Sequence, residues 1–195
     1  MKQDIILAGV GGQGILSIAF VIDNAALLDG LNFKQAEVHG MSQRGGAVQS
    51  HLRLSDEHIH SDLVPRGTAD IILSVEPLEA LRYVDYLSEE GKIITSSTPY
   101  VNIPDYPDLE GVLEKVGEIS HPIIIDSKKL AAEAGSVRAQ NMVMLGAASL
   151  DLIVEENSLL KFIEVLFKPK GQALVDMNHK AFELGKKAAL EQIRD

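Results

Sequence analysis

Residues 4–9, Asp-Ile-Ile-Leu-Ala-Gly, form an apolar run that breaks on Gly9-Val10-Gly11-Gly12-Gln13-Gly14 and resumes at once as a helical pattern from Ile15. A short strand of buried character that turns on glycines and restarts as a helix is the opening unit of a strand–helix–strand fold. Glycine permits the positive φ and close backbone approach that such a turn needs. The start of the helix that follows offers unpaired N–H groups and a partial positive charge.

The rest of the chain repeats the alternation. Helical spacing runs from Gly14 to about Leu28, with Ile15, Ile18, Ala19, Ile22, Ala25 and Ala26 on one side and Gly30 as a stop. Strands are expected over about 32–38, 47–55, 69–75, 91–97 ("GKIITSS") and 121–127 ("HPIIIDS"). A helix with Pro77 in its first turn follows the 69–75 strand, and Ser127 is the expected cap of the helix "KKLAAEAG". From Ala139 the chain reads as helices over 139–154, about 157–167 and 171–193, packed on the rest of a single 1–195 domain. The pattern predicts an α/β fold: a Rossmann-like open, mostly parallel sheet with helices on both faces and a helical C-terminal third. The 47–55 strand has no helix before it, so an antiparallel pairing with its predecessor is expected.

Composition removes several function classes. The net charge of −10, with scattered Lys and Arg, disfavours nucleic acid and anionic membrane surfaces as partners. No apolar run approaches the ~20 residues that span a bilayer, and the N-terminus has no signal-peptide pattern, so a cytoplasmic location is expected. The sequence contains no cysteine, which removes disulfides, thiolate metal sites, cysteine nucleophiles and self-ligated iron–sulfur clusters.

Gly9, Gly11 and Gly14 satisfy G-x-G-x-x-G between a strand and a helix. Two readings of the 9–14 loop stand side by side: an anion or phosphate cradle, and a tight turn that only packs closely. A dinucleotide site would also ask for an acidic residue at the end of the second strand, where Glu37 is the candidate. The segment Glu37-Val38-His39-Gly40-Met41-Ser42-Gln43-Arg44-Gly45-Gly46 is polar and follows that strand, on the ligand-binding edge of an open sheet. Arg44 can present a planar, charged fork to an anion or a partner carboxylate, or stand in solvent before a Gly45-Gly46 bulge.

"GVGGQGI", "EVHGMSQRGG", "VEPLEALRY" and "VRAQNMVMLGAAS" together resemble the gamma-type subunit family of 2-oxoacid:ferredoxin oxidoreductases, in particular the small subunits of the indolepyruvate type, over essentially the whole chain. The resemblance implies a subunit of a complex that decarboxylates a 2-oxoacid oxidatively, makes acyl-CoA and passes electrons to ferredoxin. An aryl pyruvate such as indolepyruvate is the implied substrate. It also implies a larger catalytic partner carrying thiamine diphosphate, Mg and [4Fe–4S] clusters, coenzyme A as co-substrate, and no cofactor held tightly by this chain. Gly9, Gly11, Gly12, Gln13 and Gly14 then become a candidate coenzyme A or anion loop. His39, Ser42, Gln43, Arg44, Gly45 and Gly46 become a candidate interface and active-site wall. A stand-alone nucleotide-binding oxidoreductase of Rossmann type and a non-catalytic nucleotide-binding module are the rivals. Dimerisation of the isolated chain is left open.

Other polar residues have plainer readings. His51 is expected on the polar face of an exposed strand, and His58 and His60 form at most an incomplete metal pair. Glu76 is expected to satisfy the first N–H groups of the helix after it, and Asn141 to cap or bond the nearby loop. The terminal helix, with Phe182, Leu184, Ala188, Ala189 and Ile193, is expected to dock on the core. No catalytic constellation is present, as expected where a partner's cofactor does the chemistry.

Overall fold

In the computed structural model, residues 1–39, 45–119 and 122–194 are described, apart from the His39 side chain. Strand β1 (Lys2–Val10) is followed by helix α1 (Ile15–Leu28), then β2 (Asn32–His39), β3 (Ala47–Ser55) and β4 (Ala69–Ser74). Next come α2 (Pro77–Arg82), β5 (Leu87–Ser96), α3 (Leu109–Gly117), β6 (Ile123–Ile125) and α4 (Ser127–Ala134). Helices α5 (Gln140–Ala148), α6 (Glu156–Phe167) and α7 (Gln172–Arg194) complete the chain. The sheet order is β2-β3-β1-β4-β5-β6. Strand β3 alone runs against the others, pairing antiparallel with both β2 and β1, while β1-β4-β5-β6 is parallel throughout.

Alternation of apolar residues along buried strands feeds two layers. Ile5, Leu7, Ile71, Leu73 and Ile94 face α1, α4, α5, α6 and α7, whereas Ile6, Ile72 and Ile93 face α2 and α3. The helical C-terminal third therefore forms most of one layer. At the start of β1, Asp4 lies opposite Arg53 of β3 and is wholly buried. Arg53 donates through Nε at 2.7 Å and Nη2 at 3.1 Å to the two carboxylate oxygens, and through Nη1 to the carbonyls of Ser61 and Leu63. Arg53→Met leaves that carboxylate without its main cation, so stability is expected to fall by about 3 kcal/mol, as read from denaturant unfolding.

Several sequence expectations are corrected. Strand β5 starts at Leu87 rather than 91, because a bulge between Ala69 and Ile71 pairings lets the polar Glu89-Glu90 stretch stay in the strand. Helix α3 has no counterpart among the expected elements; Asp108 caps it, accepting from the Gly111 N–H at 3.1 Å. Helix α5 ends at Ala148, not 154. The cap of α4 is Asp126, whose carboxylate accepts from the Lys129 N–H at 3.0 Å, while the Ser127 hydroxyl turns inward to Ser96 and Gln140. His51 is buried, since β3 is an internal strand and the 56–68 connection folds over it. The Val64 N–H donates to His51 Nδ1 at 3.1 Å, and Tyr86 meets the imidazole edge-on at 5.3 Å. Burial lowers its pKa, which suits an imidazole that must accept from Val64.

Candidate functional site at the switch point of the sheet

The chain leaves β1 toward β2 on one side and reaches β4 on the other, so the topological switch point lies between β1 and β4. In open α/β sheets ligands bind outside the carboxyl ends of the strands at that point. There an open cleft of about 330 Å³ is lined by Gly12, Gln13, Val75, Tyr100, Val137, Arg138 and Gln140. A second hollow, about 400 Å³, lies at the opposite edge beside Asp4, Arg53, His58 and His60. The His58 and His60 rings meet edge-to-face at 4.8 Å, and no group of three metal-ligating side chains occurs among the described residues.

The glycine loop has the geometry its sequence asks for. Gly12 (φ 104°) and Gly14 (φ 82°) are left-handed, and Gly14 caps α1 without any side-chain hydrogen bond. Gln13 folds back across the turn, accepting from the Val10 N–H at 2.8 Å and donating to the Val75 carbonyl at 3.3 Å. That bridge ties the end of β1 to the end of β4. A methyl group at Gly9 would lie 2.7 Å from Ile15 Cδ1 and 3.0 Å from Gln13 Oε1, so a larger residue there would push on the side chains of Ile15 and Gln13. Asn141 donates to the Gly14 carbonyl at 3.3 Å, the loop contact expected of it.

The two glycine segments are joined directly. Beyond the last β1–β3 pair, Val10 with Ala47, the Gly11 N–H donates to the Gly46 carbonyl at 2.8 Å and the Gly45 N–H to the Gly11 carbonyl at 3.2 Å. Gly45 and Gly46 therefore extend the ladder into the loop beside the cleft. Ser42, Gln43 and Arg44, with the His39 side chain, lie outside the described residues.

Positive partial charges gather at the cleft. Helices α1 and α5 both begin at it, neither has a side-chain cap, and neither carries an acid in its first turn. The N–H groups of Gly12 and Gly14 meet no acceptor among the described residues. Arg138, exposed, adds a fixed positive charge to the lining. Glu37 does not take part as a ribose ligand beside this loop. Strand β3 is inserted between β2 and β1, so Glu37 stands one strand removed from the glycine turn.

Behind the cleft Glu76 does what its position before Pro77 foretold and more. Its carboxylate is buried, accepts from the Glu79 N–H at 2.8 Å as the α2 cap, and also accepts from the Tyr100 N–H at 3.3 Å and the Tyr106 hydroxyl. Burial, then the bond to Glu76, raises the Tyr106 pKa, so its hydroxyl stays a donor. Burial likewise raises the Glu79 carboxyl, which Arg82 steadies from 3.0 Å. Tyr100, Tyr106 and Gln140 carry no local sequence signal of these roles, which depend on distant strand ends meeting.

Fold and cleft define a Rossmann-like α/β protein with an open cleft at its sheet's switch point, beside the glycine turn. The chain belongs to the pyruvate ferredoxin/flavodoxin oxidoreductase family, whose model matches residues 4–188. It is 40% identical over 204 aligned positions to the indolepyruvate oxidoreductase subunit IorB of Pyrococcus horikoshii, with 99% of each chain covered. Among solved structures it is similar to a 2-oxoglutarate:ferredoxin oxidoreductase from Magnetococcus marinus, described with 2-oxoglutarate, coenzyme A and succinyl-CoA bound (TM-score 0.77, 25% identity). That match covers 97% of this chain but spans only 31% of the larger protein. A pyruvate oxidoreductase subunit from Thermotoga maritima matches along nearly its whole length, with TM-score 0.74, 25% identity, and 95% and 96% coverage. No helix among the described residues is long and apolar enough to cross a membrane.

Proposed function

We propose that this chain is the small subunit of an indolepyruvate-type 2-oxoacid:ferredoxin oxidoreductase, and that its switch-point cleft receives the nucleotide or pyrophosphate end of coenzyme A at the interface with a larger catalytic subunit. The observation that carries the reading is the direct pairing of Gly11 with Gly45 and Gly46 beside two uncapped helix starts and Arg138. Phosphate oxygens suit backbone N–H groups at a helix start, and a guanidinium supplies a planar, permanent countercharge. In this reading Ser42, Gln43 and Arg44, which precede Gly45 directly in sequence, are assigned to contact with the partner.

The chain itself performs no bond cleavage in this reading. It binds and orients the thiol carrier, while thiamine diphosphate, Mg and the [4Fe–4S] clusters reside in the partner, consistent with a sequence that offers no thiolate. Residues 1–195 act as one domain, and the complex works in the cytoplasm with ferredoxin as electron acceptor. Aryl pyruvate specificity follows the likeness to indolepyruvate oxidoreductase subunits.

Purification of the tagged chain with its partner from oxygen-free lysate tests the assignment. A brown complex that reduces ferredoxin or viologen with an aryl pyruvate and coenzyme A is the expected result; a lone protein that saturates with NAD at micromolar affinity overturns it. In that complex Arg138→Ala removes one charge-assisted contact to phosphate. The KM for coenzyme A is then expected to rise about tenfold, with kcat at saturating coenzyme A and the aryl pyruvate KM little changed.

A further inference from the structure

The connection from β5 to α3, residues 97–108, is a strap held at both ends of its middle stretch. On one side it meets Glu76: the Tyr100 N–H and the Tyr106 hydroxyl both donate to Oε1 of that buried carboxylate. On the other, Asn102 Nδ2 donates to the Gly45 carbonyl at 2.8 Å. Gly45 in turn donates to the Gly11 carbonyl, and Gly11 to that of Gly46. A continuous chain of hydrogen bonds thus runs from the cap of α2 through the strap to the paired glycine segments at the cleft.

We infer that Glu76 is a positioning residue for the cleft: with Tyr106 it fixes the strap so that Asn102 holds Gly45, and with it the second glycine segment, against Gly11. Capping α2 needs only one acceptor from Glu76, and its Oε2 supplies that to the Glu79 N–H. The other oxygen is committed wholly to the strap, from a side chain that is 1% exposed. Tyr100, held through its own N–H, contributes to the cleft lining, so the same anchor shapes both the wall and the loop opposite. Without the anchor, Gly45 keeps only its ladder bond to Gly11 among these links, and a glycine pair has no side chains to resist movement. The consequence for ligand binding rests on the coenzyme A reading above.

Tyr106→Phe removes the hydroxyl and keeps the ring; Asn102→Ala cuts the far end of the chain and leaves the Glu76 cluster intact. Hydrogen exchange on the full chain is read at the Gly11 and Gly45 amides, with the Glu79 amide as the cap control. Both variants are expected to speed exchange at Gly11 and Gly45 by about tenfold, and neither to change Glu79 much. Their effects are expected to be non-additive in the double variant. In the assembled complex each is expected to raise the KM for coenzyme A severalfold at unchanged kcat. Unchanged exchange at Gly11 and Gly45 in both variants overturns the inference. So does faster exchange with an unchanged KM, if Arg138→Ala raises that KM. If Arg138→Ala also leaves it unchanged while exchange quickens, the coenzyme A reading fails and the strap retains only its hold on the loop, which overturns the positioning role for that ligand.

Discussion

Gly185→Ala and Gly146→Ala are each expected to destabilise the fold by more than about 4 kcal/mol, enough to prevent isolation of a folded chain in many preparations. Helices α5 and α7 cross with their backbones in contact. A methyl group at Gly146 would lie 1.9 Å from the Phe182 carbonyl oxygen, and one at Gly185 would lie 1.9 Å from that of Val143. The obstruction on each side is backbone, so relief requires moving a whole helix out of a close-packed core. Phe182 is itself fully buried, and Val143, Met144 and Leu145 surround the crossing with no exposed surface to yield. Urea unfolding of the soluble fraction reads the effect. Gly117→Ala, at the end of α3 where nothing lies within 4 Å of the added methyl, is the control and should be neutral or slightly stabilising. Equal stability of the Gly185 variant and the control would show that the helices slide apart cheaply.

Asp23→Asn is expected to stabilise the chain at neutral and higher pH while leaving it unchanged in acid. Asp23 sits on the buried side of α1 with 4% exposure, and its Oδ1 has no hydrogen-bond partner. Burial pushes its carboxyl from the ordinary 3.8 up to about 7. Below about pH 4 the carboxyl is protonated whether the chain is folded or not, and it imposes no charge penalty. As pH rises toward 7 the unfolded chain releases this proton and the folded chain keeps it, so stability falls across that window. Above about 7 both states are ionised and the full penalty stands, on the order of 4 kcal/mol. Asparagine has nearly the same volume and never ionises, so the difference between variant and parent should open between about pH 4 and pH 7 and then stay constant. Denaturant midpoints near pH 4 and near pH 8 measure it. A constant difference at both would show that the carboxylate finds solvent or a cation when charged.

Both predictions concern the scaffold that holds the cleft rather than the cleft itself, and this separation bears on function. The α5–α7 crossing sets where α5 begins, and the start of α5 brings Arg138, Gln140 and Asn141 to the glycine loop. A variant that weakens the crossing is expected to lose stability and ligand affinity together. Tyr106→Phe and Arg138→Ala, in contrast, change the edge of the cleft and leave the core in place. Comparing the two groups distinguishes loss of the site from loss of the fold.

Local chemistry was legible wherever one segment carried its own instructions. The glycine turn between β1 and α1 was readable because an apolar run, a left-handed turn and a 3.6-residue period adjoin within a short stretch. The cap of α2 by Glu76 was readable for the same reason, since Pro77 fixes where the helix begins. The antiparallel pairing of β2 with β3 followed from the lack of a helix between them. His51 was misread as exposed because alternation reports which side of a strand a residue takes, and not whether another segment covers that side. Ser127 was misread as a cap because Asp126 beside it is the better acceptor and the hydroxyl finds Ser96 across the sheet.

The amino-acid sequence by itself determined the class of fold, the glycine turn, the helix caps set by adjacent residues, and, through the missing cysteines, that this chain contributes no thiolate chemistry. The insertion of β3 between β2 and β1, the meeting of Gly45 with Gly11, and the reach of the 97–108 strap to Glu76 were decided only in the tertiary structure. Propensity and periodicity act over a few residues, whereas strand order and the convergence of distant loops depend on which arrangement of all the apolar faces buries the core while pairing most of the buried polar groups.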